Sequence, residues 1–299
     1  MTLSLALTLV MNGLAMGMVY ALMVMGLVLL IRAVGVLNFA QGDILSAGAF
    51  IGCSMLIDFN LPLWLAAIVS LVLYLLIGLI FMATVYWPVR KSSYRAAIMI
   101  STMGASVAIR EVLMLIWGSD PLTMPAVFQG SSGNGRSALL TIGDAQISVQ
   151  YFVVFVVGVI AILLTFTLFE KIYAGRIMEA ASQNQFAARL IGIPVFITIA
   201  ATYMISFALA CSAGFLAGPL FNVSVSLSSM QLYAFAGLVI GGMGSIQGAI
   251  IGALLVGVLE SFATVFVYSY APAVVFGVLV LFLLFKPDGL FKSKIGVKV

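Results

Sequence analysis

Histidine is absent from the 299 residues, and charge is scarce: only 7% of the chain is Asp, Glu, Lys or Arg. Without an imidazole the chain lacks the commonest zinc ligand and the commonest general base, so a Ser-His-Asp triad and an H-E-x-x-H site are both excluded. No stretch matches G-x-x-x-x-G-K-[ST], so ATP has no P-loop here. The two cysteines, Cys53 and Cys211, lie in apolar runs, which argues against a disulfide framework and against a thiolate metal site. The chain therefore reads as a non-enzyme with no metal and no cofactor of its own.

The scarcity of charge also decides the class. Soluble domains carry roughly 25% charged residues, whereas this chain is 64% hydrophobic with a mean hydropathy of +1.27. Most of such a surface must face lipid. Only helices and closed barrels satisfy every backbone polar group there, and barrel strands read as alternating segments of about ten residues. Runs such as "LPLWLAAIVSLVLYLLIGLIFMATVYW" (61–87) are long and unbroken. The fold class is all-α, a polytopic transmembrane bundle. The charge of +4 and the pI near 9.1 then express a positive-inside bias and not an affinity for nucleic acid. The opening "MTLSLALTLVMNGLAMGMVYALMVMGLVLLIRAV" has neither a basic n-region nor an A-x-A site, and reads as a retained first span.

Apolar stretches long enough to span occur at 3–31, 61–87, 96–117, 151–169, 194–217, 246–268 and 271–285. Residues 40–57 and 228–243 read as short or broken helices, tolerated where they pack in protein or line a cavity. Together these give about eight or nine membrane segments in a single domain, 1–299. "WPVRKSSYR" (87–95), the 170–193 segment and the lysine-rich tail 286–299 belong on the cytoplasmic side, and the 119–150 loop outside. This places the N-terminus outside and the C-terminus inside. The outer loop reads as a small cap with a strand or two, or as a plain solvated loop. The small residues of "GAIIGALLVG" (248–257) read as a packing seam.

Polar groups at membrane depth carry whatever chemistry there is. Asp43, Glu111 and Glu260 lie inside or at the edge of apolar runs, and Asn38 and Gln41 sit close to Asp43 in "VLNFAQGDILSAGAF" (36–50). A carboxylate there is expensive and by default functional. Arg110 adjoins Glu111, but successive helical residues do not face each other, so Glu111 is expected to pair with another helix or to face water. Asn12, Ser101, Thr102, Ser106, Gln231 and Gln247 add uncharged polarity whose simplest use is an interhelical hydrogen bond. Gly42 allows a tight turn, after which Asp43 falls at a helix N-terminus, favoured by free N–H groups and the dipole. That turn is a fixed bracket or a moving gate, and the bracket is preferred. The segment "MEAASQNQFAARLIGI" (178–193) fits a short amphipathic helix ended by Gly192, lying on the membrane or docked in a soluble partner.

Taken together, these stretches resemble the permease subunits of ABC importers for branched-chain amino acids, the hydrophobic amino-acid uptake family. The resemblance lies in "NGLAMGMVYALMVMGLVLLIRAVGVLNFAQGDILSAGAFIG" (12–52), with its N-F-A-[HQ]-G-[DE] turn, in "PVRKSSYRAAIMISTMGASVAIREV" (88–112) and in "GRIMEAASQNQFAARLIGI" (175–193). It continues in "GGMGSIQGAIIGALLVGVLES" (241–261) and "FKPDGLF" (285–291), and covers nearly the whole chain outside 119–150. ABC permeases commonly carry E-A-A-x-x-x-G in the loop that meets the ATPase. Glu179-Ala180-Ala181 matches the letters but meets Gln185 in place of glycine, whereas Phe186-Ala187-Ala188 places Gly192 correctly and lacks the acid.

The resemblance implies a subunit of a bacterial inner-membrane importer working by alternating access. Its implied partners are cytoplasmic ATPase subunits carrying ATP and magnesium, a second permease, identical or paralogous, and an extracytoplasmic solute-binding protein. It turns 170–193 into a coupling segment with Arg176, Glu179, Ala187, Ala188, Arg189 and Gly192 as the residues facing the ATPase. It leaves Asn38, Gln41, Gly42, Asp43, Glu111, Gln247 and Glu260 as path or gate residues. The alternatives are a urea or short-amide permease of the same family, an ion-coupled transporter using Asp43, Glu111 or Glu260, and a purely structural membrane subunit.

Overall fold

A computed structural model describes residues 3–92, 94–126, 138–142, 145–171, 177, 188, 190, 192–287 and 289–291. Among the described residues seven helices are long and apolar enough to cross a membrane, each overlapping one of the stretches the hydropathy marks out. The first, α1 (Leu3–Val34), is apolar on every side, and a helix of that kind belongs inside. From Ala15 to Leu30 nearly every described side chain is buried. Three long helices, α6 (Val149–Lys171), α7 (Val195–Ala217) and α9 (Ile246–Phe266), surround it together with the shorter α8 (Met230–Gly241).

The two marginal segments are short helices that pass between the two ends of the bundle together with their flanking turns. At 17 residues, α2 (Gln41–Ile57) is about 25 Å long at 1.5 Å per residue, against a hydrocarbon core of about 30 Å. It is buried against α7, α3 (Leu63–Phe81) and α5 (Arg95–Trp117). The other is a 3-10 turn, Val225–Ser229, running into α8, which stops at Gly242 with φ +103°. Beyond α3 the helix widens into a π turn, Met82–Tyr86, ahead of the short α4 (Trp87–Val89). Pro88 has no N–H to continue the ladder there, and the Ser101 hydroxyl donates to the Val85 carbonyl at 3.2 Å. The last helix among the described residues is α10 (Ala271–Phe285).

The 119–150 region does hold two strands. β1 (Leu139–Ile142) pairs antiparallel with β2 (Ala145–Ser148), Leu140 opposite Ile147. Separately, Leu122 and Val223 exchange backbone hydrogen bonds of 2.9 and 2.7 Å, tying the chain after α5 to the chain after α7.

Small residues let the inner helices touch backbone to backbone, as the 248–257 pattern predicts. Gly241 and Gly248 bring α8 against α9, and Gly13 and Gly17 meet Gly257 to bring α1 against it. A Cβ on Gly257 would run into the Gly17 backbone and the Gly13 carbonyl. Gly257→Ala is therefore expected to lower the melting midpoint of detergent-purified protein by several degrees, an overpacking cost of roughly 1–3 kcal/mol. At Gly277, where a Cβ meets nothing within 4 Å, alanine should leave the midpoint unchanged or raise it slightly. Equal shifts at the two positions would contradict the seam.

Candidate functional site

The chain between α1 and α2 is a polar hub. Gly35, at φ +73°, closes α1 by donating its N–H to the Ile31 carbonyl at 2.8 Å. Asn38 then starts α2: its side-chain carbonyl accepts the Ala40 N–H at 3.1 Å, and its amide donates to Gln41 Oε1 at 3.2 Å. The Phe39 N–H donates to the Thr102 hydroxyl of α5 at 3.2 Å. Gln41, wholly buried, donates to the Ser206 carbonyl and hydroxyl of α7 at 3.4 and 3.3 Å, and Ser206 donates to Gly26 of α1 at 2.9 Å. The Gly42 N–H donates to Gln231 Oε1 of α8 at 2.5 Å. One turn of chain thus bonds directly to three helices, and through Ser206 to α1, each bond satisfying a polar group that membrane depth would otherwise penalise.

Asp43 is 3% exposed in the first turn of α2. The dipole there favours its charge as expected, but backbone N–H groups do not hold the carboxylate. The Ser106 hydroxyl donates to Oδ2, and Arg110 Nε lies 3.3 Å from Oδ1. Arg110 also donates to the Ser228 hydroxyl at 3.1 Å. Its guanidinium is 47% exposed, so this mid-span pair opens onto the outside of the bundle. Gly42 also differs from its expected use, because its φ is ordinary and it makes no left-handed turn. It is glycine because the Ser228 carbonyl and the Gln231 side chain lie where a Cβ would stand.

Of the other residues singled out, Glu111 does not pair with another helix among the described residues. It is exposed on α5 beside apolar Val107 and Leu115, which are 62% and 87% exposed. Gln247 is exposed in the first turn of α9, far from the hub. Glu260, on the same helix, faces a cavity of about 440 Å³ under the Leu122–Val223 bridge. The Tyr20 hydroxyl donates to Glu260 Oε2 at 2.5 Å. Tyr20 stacks on Tyr233 at 5.6 Å between ring centroids, and Tyr233 on Phe276 at 5.9 Å.

At the other end of the bundle, basic segments gather. Arg32 donates to the Gly244 carbonyl at 2.9 Å, and the Leu290 and Phe291 N–H groups bond back to Ile240 and Gly241. Arg90 lies 3.2 Å over the Trp87 ring, which packs edge-on against Phe196. Gly192, at φ +84°, closes its helix with the Ile193 N–H donating to the Ala188 carbonyl at 2.9 Å, the Schellman geometry of a helix end. Ala188 is buried within this subunit, and Leu190 is 74% exposed. Arg176, Glu179, Ala187 and Arg189 lie outside the described residues.

The sequence reading missed Arg110, Ser206, Ser228, Tyr20 and Tyr233. A signal for the first existed: Ser106 and Arg110, at i and i+4, share one face of α5, and a membrane arginine needs an anion.

The chain matches the sequence profile of the family described as "Branched-chain amino acid transport system / permease component" over residues 9–285. It is 33% identical over 291 residues to the Pseudomonas aeruginosa high-affinity branched-chain amino acid transport system permease protein BraD, covering 93% of each chain. It is 30% identical over 290 residues to the Salmonella typhimurium permease protein LivH, again covering 93% of each chain. A probable branched-chain amino acid transport permease protein LivH of Methanocaldococcus jannaschii is 26% identical over 254 residues, covering 83% of this chain and 78% of that protein.

Proposed function

The chain belongs to the branched-chain amino acid transport permease family, and we propose that it is the membrane-spanning subunit of an ABC importer that carries branched-chain amino acids. The carrying observation is the match over residues 9–285, which reaches all seven long spans. It is a multi-pass inner-membrane protein, and its part in transport is not enzymatic. Separate ATPase subunits would supply the energy, a second permease would complete the path, and an extracytoplasmic protein would deliver the solute.

Geometry supports the assignment of parts. The half-exposed Arg110–Asp43 pair and the exposed Glu111 stand on α5 at membrane depth, where lipid is a poor neighbour for them. That face fits a path or a second permease. Asn38, Gln41 and Gly42 anchor the same turn and so set the position of the pair. Gln247 lies near the basic end, where it would face the cytoplasmic mouth. With the basic end cytoplasmic, the N-terminus lies outside and the C-terminus inside. Leu190 and Gly192 then face the ATPases, and Ala188 seats the coupling helix on its own bundle.

The test is ATP-driven uptake of labelled leucine into vesicles holding the permease with its ATPases, its second permease and the solute-binding protein. Uptake should require ATP, and Leu190→Glu should reduce it at least tenfold with the complex still assembled, because an apolar contact in a docking groove is replaced by a charge. Uptake driven by a proton gradient without ATPases would remove the importer reading and make Asp43, Glu111 and Glu260 relay candidates.

A further inference from the structure

Resting on the transport reading above, we propose that the Glu260 cavity is a binding site for the ammonium group of a small solute with an apolar side chain, held before it crosses the bundle. Among the described residues the Glu260 carboxyl group has no partner cation. Tyr20 occupies one carboxylate oxygen of Glu260, and neither lysine nor arginine occurs among the described residues lining the cavity. A membrane carboxylate without a counter-ion is costly, so a cationic guest is the natural complement.

The rest of the wall selects which cation. No group of three or more His, Cys, Asp or Glu residues that could hold a metal ion occurs among the described residues, so the wall has no ligand set for a transition metal. The wall instead offers the rings of Tyr20 and Tyr233 and the apolar side chains of Met16, Leu227 and Met230. The two rings are stacked on each other and Tyr233 on Phe276, so they serve as apolar wall, and an apolar wall suits a branched side chain. The volume of about 440 Å³ lies in the range of small-molecule sites. Near the mouth, Asn222 and Ser226 offer hydrogen-bond donors for the solute's own carboxylate. The 3-10 turn that carries Ser226 also carries Ser228, the partner of Arg110. One short segment therefore touches both the cavity and the hub, and an occupied cavity has a direct mechanical neighbour in the ion pair.

The experiment is equilibrium binding of labelled leucine to the permease–ATPase complex in nanodiscs, without the solute-binding protein. Unlabelled leucine, leucinamide (ammonium but no carboxylate) and 4-methylpentanoate (carboxylate but no ammonium) serve as competitors. Leucine and leucinamide should compete, and 4-methylpentanoate should be at least tenfold weaker. Glu260→Gln should weaken leucine binding at least tenfold and abolish the preference for the ammonium-bearing competitors. Tyr20→Phe, which keeps the charge, should retain that preference.

Absence of saturable leucine binding, equal competition by 4-methylpentanoate, or wild-type affinity in Glu260→Gln would each overturn the proposal. The competition series needs no variant, so a misfolded Glu260→Gln leaves the test intact. ATP-driven leucine uptake by the wild type alongside any of these overturning results would sink the ammonium site alone. Loss of ATP-driven uptake in the wild type would sink the transport reading instead.

Discussion

Arg110→Ala is expected to destabilise the purified protein by roughly 2–4 kcal/mol, somewhat less than the roughly 3–5 kcal/mol for breaking a fully buried ion pair, because Arg110 is half exposed. The reason is asymmetric burial. Asp43 is 4% exposed by side chain and Arg110 is 47% exposed. Removing the arginine leaves a carboxylate in the interior with only the Ser106 hydroxyl for compensation. Removing the acid leaves a guanidinium that already reaches the surface and still has the Ser228 hydroxyl. Asp43→Asn should therefore be the milder change, although the asparagine amide would present a donor to Arg110 Nε. The double variant should be more stable than Arg110→Ala alone, because the uncompensated charge is gone.

Thermal melting of the four proteins forms a double-mutant cycle. Non-additivity of at least about 1 kcal/mol in the direction stated is expected from a pair in direct contact. Strict additivity would mean that the two side chains do not act on each other. If α5 also borders the path, Arg110→Ala should lose leucine uptake more steeply than its stability loss explains, and an Arg110→Lys variant should recover stability only in part. Lysine restores the charge but not the planar fork that reaches Asp43 and Ser228 together.

Much of the architecture was legible in the sequence, and what escaped has a physical reason. The seven long spans follow from apolar run length, and α2 and the Val225–Gly241 segment from runs broken by small and polar residues. The glycine seam at 248–257 follows from small residues at helical spacing. Contacts between distant positions left no such trace. Tyr20 and Glu260 are 240 residues apart, and nothing local in either helix marks the other. Helical geometry keeps Arg110 from its neighbour Glu111, but no local pattern on α5 marks Asp43, 67 residues away, as its partner. The segment around Asp43 carries the signal of the helix dipole but none of its partners on α5, Ser106 and Arg110. The functional side chains are joined across helices, and helix periodicity describes one helix at a time.

Gly42→Ala tests whether the hub is a bracket or a gate. On an exposed helix this change would stabilise by up to about 1 kcal/mol. Here the sign reverses, since the new methyl group would collide with the Ser228 carbonyl and with Gln231 Oε1, 2.8 Å from the Cβ position. The expected cost is roughly 1–3 kcal/mol, the range for overpacking. Adding Gln231→Ala should recover little, for two reasons: it removes the flexible obstacle but not the backbone one, and it strips the Gly42 N–H of its acceptor. A bracket predicts that stability and ATP-driven uptake fall together, because a bundle held apart at its centre is a weaker bundle in every state. A gate predicts that uptake falls much further than stability, since the 3-10 turn and α2 must slide past each other during transport and the methyl group blocks that path. Gln41 and Ser206 favour the bracket: they bind the turn to α7 and α1 at full burial, and moving it would break all of those hydrogen bonds in a place without water to replace them. Melting and uptake measured on the same preparation separate the two, and a variant of wild-type stability with no uptake would establish the gate.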